Sequence, residues 1–133
     1  ESVLNDLIDE KFIPVVAPIA SGDDSSHPGY NINADLAASK IALSVQAKKV
    51  IFLTDTLGVL DKNGNLLSKL TGESIEILKE NGTIKGGMIP KIDACLEAVN
   101  GGVENAHIID GRIEHSILLE LFTNEGIGTI IKQ

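Results

Sequence analysis

Aromatic side chains are scarce: the 133 residues include no tryptophan, one tyrosine and three phenylalanines. Any core must therefore be aliphatic, and the 43% hydrophobic content is enough for one domain of ordinary size. Positive charge is also short. Lysine and arginine number 11 against 19 acids, a net charge of -8, and that balance argues against a nucleic-acid partner, which selects a basic face. A phosphate ligand stays open, because a local patch decides that. Cys95 is the only cysteine, so no intrachain disulfide can form, as suits a reducing compartment. No apolar run approaches the ~20 residues that span a bilayer, and the opening residues lack the pattern of a signal peptide. A cytoplasmic protein without a membrane partner is expected. The chain starts at Glu1 rather than Met, as a piece of a longer protein would. Glycine-lysine spacing of the Walker A kind is absent, as is a G-x-S-x-G elbow. No His/Cys/Asp cluster has metal-ligand spacing, so no metal ligand set is expected.

What is present alternates between helix and strand signals. Val3, Leu4, Leu7 and Ile8 form a helical stripe over residues 2–11. Ile13 to Ile19 reads as a buried strand whose Pro14 and Pro18 put it near a sheet edge. A polar loop follows over residues 20–30 and includes His27. Asn33 to Ala47 reads as an alanine-rich helix, and Lys49 to Thr54 as a buried parallel strand. Lys62-Asn63-Gly64-Asn65 carries a hairpin turn signal. Thr71 caps a helix to Glu80, and a second helix starts near Met88 with Pro90 in its first turn. Its apolar stripe includes Cys95, read as packing. Ala106–Ile109 and Ile127–Ile131 are further strands, with a short helix over 114–122 between them. This order predicts a three-layer α/β/α sandwich around a mainly parallel sheet, in a single domain over residues 1–133.

Three polar clusters fall at strand ends or helix starts, where open α/β sheets bind ligands. Asn31 with Asp35 could hold an anion and fix a nearby ammonium, although capping by Asn33 and the helix dipole explain the same residues. Asp55 to Leu60 leaves a strand where backbone groups could meet a nucleotide; a plain strand exit is the simpler account. Lys85-Gly86-Gly87-Met88-Ile89-Pro90-Lys91 lets backbone approach a phosphate at a helix N-terminus. Its plain alternative is a glycine hinge with solvated lysines. Lys91 tilts the balance toward function, because a cation in a first helical turn opposes the dipole unless an anion is near. His107 lies on an apolar strand, where a structural core histidine is the commoner case. His27 and His115 show no partner in the sequence.

Taken in order, Ile13 to Ile19, Tyr30-Asn31-Ile32-Asn33-Ala34-Asp35, Leu53-Thr54-Asp55 with Gly58 to Asp61, Gly86 to Lys91, and His107-Ile108-Ile109-Asp110-Gly111-Arg112 form a set. With Leu118 to Thr123 and Gly126 to Thr129, that set resembles the acetylglutamate kinases of the amino-acid kinase family. The likeness runs from about residue 12 to the end, and it covers only the C-terminal, ATP-binding lobe of such an enzyme. It implies phosphoryl transfer from ATP, with Mg²⁺, to the side-chain carboxylate of N-acetyl-L-glutamate in arginine biosynthesis. By this resemblance Lys91 neutralises the transferring phosphoryl group, Asp35 orients the catalytic lysines and Asn31 holds acetylglutamate. Asp55, Thr56, Leu57, Gly58, Val59 and Leu60, with Thr83, Ile84 and Lys85, match the ATP-contacting loops. His107, Glu120 and Gly126 match the lining of an arginine effector site, where Glu120 would pair with a guanidinium. The isolated fragment is expected to be inactive, and the enzyme to be a homo-oligomer. Kinases of the same family acting on carbamate, aspartate or a nucleoside monophosphate are the alternatives, as is a non-catalytic nucleotide- or arginine-binding fragment.

Overall fold

The run Lys49–Thr54 forms the edge of a four-stranded sheet, and the rest of the molecule is layered on that sheet. The computed structural model describes residues 2–23, 29–123 and 126–133. Its elements are α1 (Ser2–Asp9), β1 (Ile19–Ala20), β2 (Tyr30–Asn31), α2 (Ala34–Ser44), β3 (Lys49–Thr54) and β4 (Lys69–Leu70). They continue with α3 (Gly72–Glu80), α4 (Met88–Asn100), β5 (Asn105–Asp110), α5 (Ser116–Phe122) and β6 (Thr129–Ile131). The sheet order is β3-β5-β6-β4. β3 pairs parallel with β5 from Lys49↔Asn105 to Thr54↔Asp110, and β4 pairs parallel with β6, while β5 and β6 are antiparallel. The result is the α/β/α sandwich with a mainly parallel sheet.

Alternation along β5 separates the two faces. Ala106 and Ile108 enter a core with Phe52, Ile92, Cys95 and Ala98. Ala94 and Ala98 present small side chains, so α4 sits close to the sheet beside α2. His107 faces the other way and meets Glu120 of α5, which makes α5 the opposite layer. Cys95 is fully buried, and burial pushes its thiol far above the ordinary range, in keeping with a packing role. Helix starts follow their caps. Thr71 and Ser74 form a reciprocal capping box on α3, and Asn33 accepts the Leu36 amide on α2. No helix among the described residues is long and apolar enough to cross a membrane.

Several expectations are corrected. Ile13 to Ile19 is not a buried strand: only Ile19 pairs, and Ile13 and Val15 are 90% and 95% exposed. The prolines remove donors there, and no described layer covers the segment. The stripe on α1 likewise buries nothing. Asn31 belongs to β2 rather than to the helix start, and the loop over 20–30 is partly a two-stranded pairing of Ile19–Ala20 with Tyr30–Asn31. Asp24 to Pro28 of that loop, with His27, lie outside the described residues. The two-residue strand β4 carried no readable pattern in the sequence.

Candidate active site

Helices α2 and α4 bring their N-termini together. Asp35 lies in the first turn of α2 and Lys91 in the first turn of α4, 56 residues apart. The Lys91 ammonium donates to both Asp35 carboxylate oxygens, at 2.8 and 2.9 Å. Phe52 of β3 lies beneath, with Lys91 Nζ 5.7 Å from its ring centroid, within cation–π range. The pair is half-sheltered, with side chains 13% and 25% exposed. Dipoles account for the arrangement: a carboxylate is favoured at a helix N-terminus and an ammonium is not, so Asp35 offsets the cost of Lys91. Asn31 is exposed in β2. Among the described residues no hydrogen bond joins it to this pair.

The loop Asp55–Leu60 leaves the C-terminal end of β3. Gly58 has φ +148°, and a Cβ there would lie 2.6 Å from Thr129 Oγ1, so the loop lies tight against β6. The Val59 amide donates to Thr129 Oγ1 at 2.9 Å, and the Thr56 hydroxyl donates to the Gly58 carbonyl at 3.1 Å. Asp55, Leu57 and Thr56 remain exposed or half-buried, while Gly58 and Val59 are buried. Thr83, Ile84 and Lys85 connect α3 to α4. Ile84 is buried as an anchor, its amide donating to the Leu78 carbonyl, while Lys85 is exposed. Gly86, at φ +57°, makes the left-handed turn that starts α4. At the end of β5, in register with Thr54 of β3, the buried Asp110 accepts from the Arg112 amide, Nε and a terminal guanidinium nitrogen at 2.7–2.9 Å. The Arg112 guanidinium holds the Asp110 carboxyl down at about 2. Asp110 in turn raises the Arg112 pKa, with a smaller contribution from the Asp55 carboxylate.

A separate cavity of about 480 Å³ opens on the α5 side of the sheet. His107 Nδ1 lies 2.6 Å from Glu120 Oε1, and both side chains are buried. Glu120 Oε2 accepts the Ile127 and Gly128 amides at 2.7 and 3.3 Å. Burial pushes the Glu120 carboxyl up, but the Ile127 amide, His107 and the Gly128 amide outweigh it and hold it below the usual range. Gly126, at φ +64°, brings backbone against this carboxylate: a Cβ there would lie 2.8 Å from Oε2. Among the described residues His107 Nε2 is buried without a hydrogen-bond partner. Lys49, Lys69 and Lys132 line the same cavity. Glu120 is thus already engaged on both oxygens, and a fork-like guanidinium pairing needs His107 or the amides to yield.

So the structure joins Lys91 to Asp35 and groups His107, Glu120 and Gly126. It sets loop 83–85 directly before the helix that bears Lys91. Sequence reasoning missed Phe52 under the lysine, Thr129 behind the loop, and the cavity lysines. A polar Thr129 within an apolar strand was the available signal, since a buried hydroxyl needs partners.

The model of the amino acid kinase family matches residues 1–110. The acetylglutamate kinase of a Nitratiruptor species is 68% identical over 128 residues, 96% of this chain and 45% of that relative. That of Nautilia profundicola is 70% identical over 130 residues, 98% of this chain and 46% of the relative. Among solved structures, N-acetylglutamate synthase from Neisseria gonorrhoeae complexed with coenzyme A and L-arginine is similar with a TM-score of 0.88 at 30% identity. That match covers 98% of this chain and 30% of the other. The chain spans about half the length of the curated relatives it matches.

Proposed function

The chain belongs to the amino acid kinase family, and on that premise we propose that it is the C-terminal, ATP-binding lobe of an N-acetyl-L-glutamate 5-kinase. The whole enzyme moves the γ-phosphoryl group of ATP to the side-chain carboxylate of N-acetyl-L-glutamate in arginine biosynthesis, in the cytoplasm. The observation that carries this reading is the two-oxygen ion pair of Lys91 with Asp35 at two facing helix starts.

A carboxylate acceptor is ionised at neutral pH, so it needs no general base. The barrier is repulsion between two anions, and positioning with cationic stabilisation lowers it. Lys91 then neutralises charge on the phosphoryl group in flight. Asp35 holds the ammonium by both oxygens while the Phe52 ring supports it from below. Asn31 holds the acceptor. Loops 55–60 and 83–85 supply backbone groups and Lys85 to the nucleotide, next to the N-terminus of α4. Among the described residues no group of three or more His, Cys, Asp or Glu side chains could hold a metal ion. Mg²⁺ is read here as part of the nucleotide substrate, held by phosphate oxygens and water.

The test is phosphoryl transfer by the complete enzyme with acetylglutamate, carbamate, aspartate and a nucleoside monophosphate as acceptors. Acetylglutamate is expected to be strongly preferred, and preference for another acceptor overturns the assignment. Lys91→Ala is expected to lose on the order of 10²–10³ in rate, the usual cost of one well-placed electrostatic group. Near-wild-type turnover would remove Lys91 from its role.

The cavity at His107, Glu120 and Gly126 supports a second, regulatory element of the reading: arginine as feedback effector. A similar chain, the synthase from Neisseria gonorrhoeae, is complexed with L-arginine, and the lysines at this cavity suit a ligand's carboxylate. Arginine titration of the complete enzyme with Glu120→Gln as control checks it: loss of binding in the variant is expected. Equal arginine affinity in both would exclude this cavity. A homo-oligomer is part of the same reading, checked by sedimentation.

A further inference from the structure

The loop Asp55–Leu60 starts from β3, yet its backbone is fixed from another strand. Thr129, on β6, is fully buried. Its hydroxyl accepts the Val59 amide at 2.9 Å and donates to the Leu67 carbonyl at 2.8 Å. The Leu67 amide in turn donates to the Val59 carbonyl at 2.8 Å. One hydroxyl therefore closes a small ring with both sides of the hairpin that follows the loop, and its single proton is committed to Leu67. Gly58 presses on the same oxygen: a Cβ at that position would lie 2.6 Å from Thr129 Oγ1 and 2.8 Å from Leu66 Cδ1. The backbone at residues 58 and 59 has one place to lie, and Thr129 sets it.

We propose that Thr129 is a positioning residue for nucleotide binding, its hydroxyl fixing the Gly58–Val59 backbone in the orientation that the loop presents to ATP. This rests on the reading of residues 55–60 as a nucleotide loop. Thr129 touches no substrate. It acts through the main chain of Gly58 and Val59, so its removal loosens ATP and leaves the acceptor alone.

Three variants of the complete enzyme test it. Thr129→Val keeps the shape and deletes both hydrogen bonds, and Thr129→Ala and Thr129→Ser differ from each other by the hydroxyl alone. Leaving a buried amide and carbonyl unpaired is expected to weaken binding of a non-hydrolysable ATP analogue by roughly 5- to 50-fold in the Val and Ala variants. Thr129→Ser should stay within about 2-fold of wild type, since the hydroxyl and its two bonds are retained. In steady state the KM for ATP should rise while the KM for acetylglutamate holds, a split that general loosening of the fold would not give. Amide exchange at Val59, measured without nucleotide, should accelerate in the Val and Ala variants and not in the Ser variant. Should Thr129→Val fail to fold, the Ala and Ser pair still decides the matter. Nucleotide affinity unchanged in the Ala variant, or lost equally in Ala and Ser, overturns the proposal. A wild-type enzyme that binds no nucleotide overturns the reading beneath it as well, and Val59 exchange tells the two failures apart.

Discussion

Asp35 and Lys91 both sit in first turns, and the helix dipole treats them in opposite ways. Removing either one breaks the same pair of hydrogen bonds, worth about 1.5–3 kcal/mol for a charged group. The remaining charges differ. In Asp35→Asn the Lys91 cation is left unpaired in the first turn of α4, with a side chain only 13% exposed, where the dipole opposes it in wild type and variant alike. The same substitution loses the favourable dipole term of Asp35, about 0.3–1 kcal/mol. The total is a loss of about 2–4 kcal/mol. In Lys91→Met the unfavourable cation is gone, the carboxylate stays where α2 favours it, and its 25% exposure admits water. Methionine also keeps an apolar contact with Phe52. That loss should be about 0.5–2 kcal/mol. Urea unfolding of the 133-residue chain followed by far-UV circular dichroism reads the difference from midpoints at constant slope. Asp35→Asn should unfold at lower urea than Lys91→Met, and adding Asp35→Asn to Lys91→Met should cost well under the single change. Equal midpoints, or the reverse order, would refute the account of Asp35 as the compensating anion.

Gly128→Ala should be among the most damaging single changes, because its Cβ would fall 2.2 Å from the Ile108 carbonyl oxygen, and backbone cannot give way as a side-chain tip does. A loss of about 3 kcal/mol or failure to fold is expected, read from the yield of folded protein and the thermal midpoint. Asp110 and Glu120 have carboxyl pKa values lowered by folding, so their stabilisation is complete above the unfolded carboxyl range. It fades as pH falls through the folded values, which for Asp110 is about 2. The urea midpoint should therefore drop between pH 5 and pH 2.5, with the drop smaller in Arg112→Met, where Asp110 has lost its partner. Thr71→Ala removes the capping box of α3 and should cost about 1 kcal/mol in the same unfolding assay, while Thr71→Ser should cost little.

The sequence was most legible where local chemistry and tertiary packing agree. Asn33, Thr71 and the glycine turn before Met88 announce helix starts through caps and backbone freedom, and the helices begin there. Lys49–Thr54 and Ala106–Ile109 read as strands from their short apolar runs, and both fall within strands of the sheet. Ile13 to Ile19 has the same composition and misled for the same reason. Hydrophobicity reports that a segment wants cover, not that cover is present, and Ile13 and Val15 lie open. Partnerships across the chain were less legible. Spacing pointed to Lys91 and Asp35 as separate helix-start residues, and only the resemblance suggested that they meet. Thr129 could not be assigned to Val59 from sequence, since 70 residues separate them and a strand threonine is an ordinary β-former. Glu120 looked free to take a guanidinium, whereas folding engages both its oxygens with His107 and two amides.

If the chain is the ATP-binding lobe proposed above, the ion pair also limits what Lys91 can do for ATP. A lysine held by both oxygens of a carboxylate forms, with it, a unit of no net charge, and such a unit attracts a distant polyphosphate weakly. Its field matters at hydrogen-bond range, where the ammonium can turn a proton toward an oxygen that gains charge as the phosphoryl group moves. Under the proposed function, attraction of the nucleotide would then fall to the exposed Lys85 and to the helix start behind Gly87, which carries no capping side chain. Lys91→Ala should therefore lower kcat by far more than it raises the KM for ATP, with the latter moving by no more than about 3-fold, because the lost interaction is made mainly in the transition state. Lys85→Ala should do the opposite, raising the KM for ATP with kcat little changed. Steady-state kinetics of the two variants in the complete enzyme compare these directly. A KM for ATP that rises in Lys91→Ala as much as kcat falls would mean that the lysine binds ground-state nucleotide, and the division of labour argued from the Asp35 pairing would be wrong.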